Sequence, residues 1–95
     1  MSEADPHAAD GEPSFVLSAH AAQSVAKRGI RPEWLATTLK TPAMTMPDPD
    51  DEGLRHALAA IPEFGNRVLR VIYNPSTSPV LVVTAYFDRS LKGTL

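Results

Sequence analysis

The chain has 95 residues, of which 43% are hydrophobic, and it carries a formal net charge of −2 and no cysteine. This length suits one small domain, and the lack of thiols excludes disulfides, cysteine nucleophiles and cysteine zinc sites and fits a reducing cytoplasm. Because no apolar stretch resembles a membrane span or a signal peptide, we expect a soluble cytoplasmic protein with no membrane partner.

The charges of the chain are arranged in blocks. Residues 1–13 carry four acids and no Lys or Arg, and residues 48–52 carry four more acids. In 14–47, four basic residues stand against one acid, and in 53–95 five stand against two. The folded part outside the acidic loop is therefore mildly basic, which favours an anionic partner, although an ordinary solvated surface explains the same excess.

The first residues with an apolar pattern lie near Ser14. The small, acidic and Pro/Gly-containing stretch before it predicts a disordered leader over 1–13, followed by one α+β domain over 14–95. Phe15 to Leu17 predicts a short strand or extended segment. Ser18 is suited to cap a helix, and Gly29 is suited to end it in a left-handed conformation.

The helix between Ser18 and Gly29 has two different sides when it is wound at about 100° per residue. The predicted apolar side holds Ala21, Ala22, Val25 and Ala26. The predicted polar side holds His20, Gln23, Ser24, Lys27 and Arg28. An imidazole, a hydroxyl and an ammonium group then point the same way, which makes this face the first candidate for chemistry.

A second helix and a short strand are predicted next. Pro32 opens the helix and Thr41-Pro42 closes it, with Ile30 buried at the sharp corner between the two helices. Its apolar face is predicted to hold Trp34, Leu35, Thr38 and Leu39. Ala43 to Met46 is compatible with a short strand, and the Pro- and Asp-rich run from Pro47 to Asp51 predicts an exposed loop.

The second half of the chain alternates with a period of two. Residues 54–61 predict a strand, although their alanines leave a helix open, and 67–73 and 80–87 predict stronger strands joined by turns. In the last strand, strict alternation puts Val82, Thr84 and Tyr86 on one face. The expected fold is α+β, with two N-terminal helices packed on one face of a three- to four-stranded antiparallel sheet.

No P-loop, dinucleotide-binding or zinc-protease motif occurs, and the three histidines are scattered, so we expect no metal and no cofactor. Arg70 stands out because its strand neighbours are hydrophobic while its charge needs a carboxylate, a phosphate or water. One interpretation places it on the solvated face of the sheet or pairs it with Asp88 or Glu63. The other brings it to His20 at the sheet edge, where the imidazole transfers protons and the guanidinium holds a phosphate.

The aromatic and hydroxyl side chains allow two interpretations as well. Trp34, Tyr73 and Tyr86 are suited to stack on bases, but aromatic residues at these spacings more often belong to a core. Thr84 and Tyr86 are suited either to offer hydroxyls to a site or to pair across strands.

Several motifs resemble one known family. Leu17-Ser18-Ala19-His20-Ala21 followed by Arg28-Gly29-Ile30 resembles the opening of the domain-of-unknown-function family DUF4258, and 67–75 with 82–89 resemble its closing hairpin. The similarity extends from Phe15 to Lys92. The family is grouped with the RelE, ParE and BrnT toxins and with barnase- and colicin-type ribonucleases. The resemblance therefore implies a RelE-like or microbial-ribonuclease-like fold and RNA cleavage, or an inactivated relative.

The resemblance also assigns residues. The family's histidine corresponds to His20, its helix-ending arginine to Arg28, its strand arginine to Arg70 and its last-strand threonine to Thr84, followed by Asp88-Arg89. This chain has Ser24 where many members have a further arginine.

These observations predict a metal-independent endoribonuclease of toxin type that acts on RNA phosphodiesters. His20 is the expected acid and base, Arg28 and Arg70 are the expected phosphate clamps, and the expected substrate-binding residues are Lys27, Thr84, Tyr86 and Arg89. RNA and an antitoxin protein are the expected partners. The alternative is a non-catalytic protein-binding module of the same fold with a degenerate site.

Overall fold

The structure is a computed structural model that describes residues 15–95, so the leader predicted over 1–13 lies outside it. The strands and α-helices of the described residues are β1 (Phe15–Leu17), α1 (Ala19–Arg28), α2 (Pro32–Lys40), β2 (Met44–Pro47), β3 (Arg55–Ile61), β4 (Arg67–Asn74) and β5 (Val80–Phe87). Two 3-10 helices, Pro62–Phe64 and Arg89–Leu91, follow β3 and β5.

The strands form one mixed sheet in the order β1-β5-β4-β3-β2. β2 to β5 are antiparallel neighbours, whereas β1 runs parallel to β5, with Phe15 opposite Val80. The α+β class with two helices is confirmed, but the prediction of three to four antiparallel strands is wrong. Because β1 has only three residues and pairs with the strand most distant in sequence, no turn or alternating pattern reveals its direction.

The alternation predicted for β5 is interrupted. Val82 and Ala85 are both fully buried in the core between sheet and helices. Tyr73 pairs with Val82 while Ile72 pairs with Thr84, so one additional residue of β5 lies between the two pairs. Such a bulge reverses the side-chain parity of the strand, and the prediction that Val82 shares a face with Thr84 is therefore wrong.

The ends of α1 follow the sequence signals. Ser18 Oγ accepts a hydrogen bond from the backbone N–H of Ala21 at 3.0 Å, and Gly29 ends the helix with φ 66°. The cap satisfies one of the free N–H groups of the first turn, and glycine adopts the left-handed conformation without a side-chain clash.

The face that α1 turns to the sheet differs from the predicted one. Ala21 and Ser24 are buried, Ser24 with 5% exposure, whereas Ala22 and Ala26 are exposed. The buried face is therefore rotated by roughly a quarter turn from the predicted apolar side. Small side chains at both buried positions let the helix lie close to β5, and this close approach outweighs the small apolar gain of burying a further alanine.

The core lies between the helices and the sheet. α2 buries Trp34, Leu35 and Thr38, and Ile30 is buried at the corner before it, as predicted. Leu69 and Val71 of β4 face the same core. Arg70, between them in sequence, must therefore point to the opposite face of the sheet, because side chains alternate along a strand.

A pair of leucine substitutions tests the orientation of α1. Ser24→Leu should lower the free energy of unfolding by about 1–3 kcal/mol, because the larger side chain must fit between helix and sheet. Ala22→Leu is the matched control on the exposed face and should change it by less than about 0.5 kcal/mol. Urea unfolding measures the free energy of unfolding of both variants. A larger loss for Ala22→Leu than for Ser24→Leu would contradict the observed orientation of α1 and favour the predicted one.

Candidate functional site

Four polar side chains form a connected chain across the sheet face opposite the helices, and we call them the polar network: Asp48, His56, Arg70 and Asp88. Arg70 Nε and Nη2 donate to Asp88 Oδ2 at 3.0 and 2.8 Å, and its Nη1 lies 2.6 Å from His56 Nδ1. His56 Nε2 lies 2.7 Å from Asp48 Oδ1. The Arg70 and Asp88 side chains are only 13% and 14% exposed, so this chain of contacts is largely shielded from water.

The identity of these partners fixes the protonation of His56 in the network. An arginine can only donate hydrogen bonds, so Nδ1 of His56 accepts from Arg70. The proton of the ring is then on Nε2, which donates to Asp48. Both ring nitrogens are therefore engaged within the network, and neither is left to take a proton from a substrate.

The two carboxylates of the network are held in their ionised form. Hydrogen bonds from the side chains of Ser90 and Arg70 lower the pKa of Asp88. The hydrogen bond from His56, together with the backbone N–H groups of Asp50 and Asp51, lowers the pKa of Asp48. An ionised Asp88 largely compensates the positive charge of Arg70.

The surroundings of Arg70 decide between its two interpretations. Its pairing with Asp88 is confirmed, while Glu63 instead accepts a hydrogen bond from Trp34 Nε1 at 3.1 Å. His20 is exposed on α1, on the helix side of the sheet, so the structure does not bring His20 and Arg70 together. The histidine that meets Arg70 is His56 of β3.

A second group of candidate side chains lies where β4 begins and β5 ends. A cavity of about 510 Å³ at this end of the sheet is lined by four cationic residues, and we call it the cationic cleft: Arg28, Arg67, Arg89 and Lys92. All four side chains belong to exposed residues. They come from the end of α1, the start of β4 and the 3-10 segment after β5, so the fold gathers charges that are distant in sequence.

Among residues 15–95, Asp88 is the only carboxylate that lines the cleft, and its charge is already paired with Arg70. The cleft therefore keeps a net positive charge. Asp88 Oδ1 also accepts from the backbone N–H and the hydroxyl of Ser90, at 3.0 and 2.6 Å, and so caps the 3-10 helix that begins at Arg89. Arg70 thus holds the carboxylate that positions one cationic segment of the cleft.

Aromatic rings form the apolar wall of the cationic cleft. Phe64 and Phe87 both line it, and their ring centroids are 5.0 Å apart. Phe64 stacks on Trp34 with centroids 5.4 Å apart, and the guanidinium carbon of Arg67 lies 4.5 Å from the Phe64 centroid. The cleft therefore combines positive charge with flat apolar surface.

The predicted site residues are divided between several places. Arg28 and Arg89 line the cleft, whereas His20 and Lys27 are exposed on α1 and are not part of its lining. Thr84 and Tyr86 are half-buried on β5, opposite Ile72 and Arg70 of β4. The predicted set therefore does not form a single site.

Sequence reasoning also missed residues that the structure assigns to the cleft and the network. Lys92, Phe64 and His56 carried no motif. His56 had one usable signal, because it shares the alternating face of β3 with Leu58, which pairs with Arg70. That signal becomes useful only when the strand register is known.

Between residues 15 and 95, no cluster of three or more His, Cys, Asp or Glu side chains has an arrangement that could hold a metal ion. Neither α-helix in this range has the length and apolar character needed to span a membrane.

The model of a protein family matches residues 17–87 of the chain, and its description is "Domain of unknown function (DUF4258)". The chain therefore belongs to this family, in agreement with its sequence motifs. No curated protein and no solved structure matches it.

The depressed pKa of Asp88 predicts a loss of stability in acid. Its carboxylate stabilises the fold above the unfolded pKa of about 3.9, and this contribution is lost as the pH falls through the lower folded pKa. Asp88→Asn, which keeps an oxygen to cap the 3-10 helix, should be less stable than the wild type near neutral pH. The difference should shrink as the pH falls below the unfolded pKa of about 3.9, as measured by urea unfolding.

The control for this experiment is Asp50→Asn. It removes an exposed carboxylate from the acidic loop while leaving both ends of the polar network in place. Its stability difference from the wild type should stay small across the same pH range. A gap between wild type and Asp88→Asn that did not change with pH would contradict the charge-based role of Asp88.

Proposed function

We propose that this domain binds the phosphodiester backbone of RNA in the cationic cleft. The observation that carries the proposal is the convergence of three arginines and one lysine around a cavity. Within the described part of the chain, the one carboxylate in its lining, Asp88, is neutralised by Arg70. Guanidinium groups bind phosphate oxygens through paired hydrogen bonds, and exposed cations at one end of a sheet attract a polyanion over long distances.

The distribution of charge along the sheet also supports RNA binding at the end that carries the cationic cleft. Arg67, in the cleft, pairs with Ile61 at one end of β3, whereas Arg55, at the other end of β3, pairs with Pro47 just before the acidic loop. The negative charges of residues 48–52 are thus concentrated away from the cleft. A net charge of −2 is therefore compatible with binding a polyanion at one end of the molecule.

Charge-removing substitutions should weaken RNA binding selectively. Arg89→Gln and Arg28→Gln should each lower the affinity for a fluorescein-labelled single-stranded RNA in polarisation assays at low salt. Each should also make the plot of log affinity against log salt shallower by about 0.7, the value expected when one phosphate contact is lost.

The matched control is Arg55→Gln, which removes the same charge at the opposite end of the sheet. It should leave both the affinity and the salt dependence close to those of the wild type. An equal loss in all three variants would indicate non-specific attraction, and no RNA binding at low salt would favour the protein-binding module instead.

We further propose that the bound RNA is cleaved by a metal-independent endoribonuclease reaction of toxin type. The 2′-oxygen forms a bond to phosphorus while the bond to the 5′-oxygen breaks, which yields a cyclic phosphate and a 5′-hydroxyl. The proton of the 2′-hydroxyl passes to a base, and a proton is given to the leaving 5′-oxygen. Because RNA supplies its own nucleophile, cationic groups that stabilise the phosphorane are the main further requirement.

The roles proposed here differ in part from those that the sequence motifs suggest. The hydrogen bonds of Arg70 are directed to Asp88 and His56, so the proposed clamps are Arg28 and Arg89. His20 remains the proposed acid and base, and it lies about 12 Å from Arg28 along the axis of α1. It can act only on an RNA strand that runs along α1 from the cleft.

Cleavage in the presence of EDTA tests this reaction. Wild-type protein should release a product with a 2′,3′-cyclic phosphate, and His20→Ala and Arg28→Ala should each slow single-turnover cleavage by about 100-fold or more. Arg55→Ala should cleave at the wild-type rate.

Cleavage that is equally fast in all variants would point to a contaminating nuclease. Binding without cleavage would leave an RNA-binding module of this fold. The protein partner proposed with the toxin activity is an antitoxin with an acidic segment, which should compete with RNA for the cationic cleft.

A further inference from the structure

We propose that the cationic cleft is a subsite for one unpaired nucleotide, whose base stacks on the wall formed by Arg67, Phe64 and Phe87 and whose phosphates contact Arg28, Arg89 and Lys92. This inference rests on the proposed RNA binding and names the class of RNA, which is single-stranded at the bound position. It predicts discrimination that a purely electrostatic site would lack.

The first argument is the composition of the lining. Phosphates alone require only cations, yet the cleft also presents two half-buried phenyl rings beside its exposed charges. Nucleotides carry a flat base and an anionic phosphate on one sugar, so they match both chemistries at once.

The second argument is the stack that already exists in the wall. Trp34 lies on Phe64 with an interplanar angle of 29°, and the Arg67 guanidinium lies over the same ring at 4.5 Å. A ring accommodates one stacked group on each face, so Arg67 is the outer layer of a Trp34–Phe64–Arg67 stack. Because the guanidinium is planar and exposed, a base placed on it extends the stack.

The third argument is size. The cleft volume of about 510 Å³ is within the range of sites that enclose a small organic molecule, and it accommodates one nucleotide. A base within a duplex is paired and stacked on its neighbours, and it must leave the helix before it can enter such a site. The cleft should therefore select unpaired nucleotides.

The chain provides its own reporter for this site. Trp34 is the only tryptophan, and it contacts the Phe64 ring directly. Its fluorescence should change when a 2′-O-methylated single-stranded RNA pentamer, which cannot be cleaved through its 2′-oxygens, is titrated into the full chain. The same pentamer with an abasic central position should bind about tenfold more weakly, and a duplex of the same sequence should bind at least as weakly as the abasic strand.

The decisive variant is Arg67→Lys, which keeps the charge and removes the planar guanidinium. It should weaken binding of the intact pentamer to the level of the abasic strand and leave binding of the abasic strand unchanged. Arg89→Lys is the matched control, because it preserves the charge at a cleft position outside the stack, and it should keep the preference for the intact pentamer.

Three results would overturn the inference. Equal affinity for intact, abasic and duplex RNA would show a site for phosphates only, and the proposed RNA binding would stand without the nucleotide subsite. A mononucleotide that binds as tightly as the pentamer would assign the site to free nucleotides instead of RNA. No binding of any RNA at low salt would overturn the subsite and the proposed function together.

Discussion

The ion pair between Arg70 and Asp88 is the interaction on which the end of the sheet depends. β4 places an arginine between two core-facing residues, and its charge is shielded from water on the opposite face. Removing one partner of such a partly buried pair leaves the other charge without compensation, and this costs more than the loss of an exposed surface pair. Asp88 therefore has to stay where Arg70 can reach it, at the point where β5 ends.

Both members of the pair also contact other parts of the fold. Through Oδ1, Asp88 caps the 3-10 helix that carries Arg89 into the cationic cleft. Through His56, Arg70 is connected to Asp48 at the beginning of the acidic loop. One arginine is thus neutralised inside the fold, while the arginines of the cleft stay exposed and available to a ligand. Two arginines of the same strand therefore differ in their surroundings: Arg70 is held by Asp88 and His56, whereas Arg67 is exposed in the cleft.

Features that depend on neighbouring residues could be predicted from the sequence. Ser18 and Gly29 mark the ends of α1 because capping is decided within one turn, and the range of β5 follows from its run of β-branched and aromatic residues. The membership in the DUF4258 family could be predicted as well, since ordered motifs are retained along most of the chain.

Features that depend on distant partners could not be predicted. The parallel pairing of β1, the bulge in β5 and the orientation of α1 are decided by packing between elements, for which the local pattern carries no signal. In the candidate site, too, single residues could be predicted from the sequence, whereas their distant partners could not. Arg28 and Arg89 were recognised as candidate residues, but only the fold shows that they share a cleft with Arg67 and Lys92, and that Arg70 meets His56 in place of His20.

We propose that the exposed arginines of the cleft bind RNA, whereas Arg70 is held by the protein itself. Arginine side-chain NMR tests it most directly, because each Nε–H group gives its own signal during a titration with 2′-O-methylated single-stranded RNA. We expect the signals of Arg28, Arg67 and Arg89 to shift in proportion to bound RNA, while those of Arg70 and Arg55 stay in place. A shift of Arg70 with no change in the three cleft arginines would contradict it.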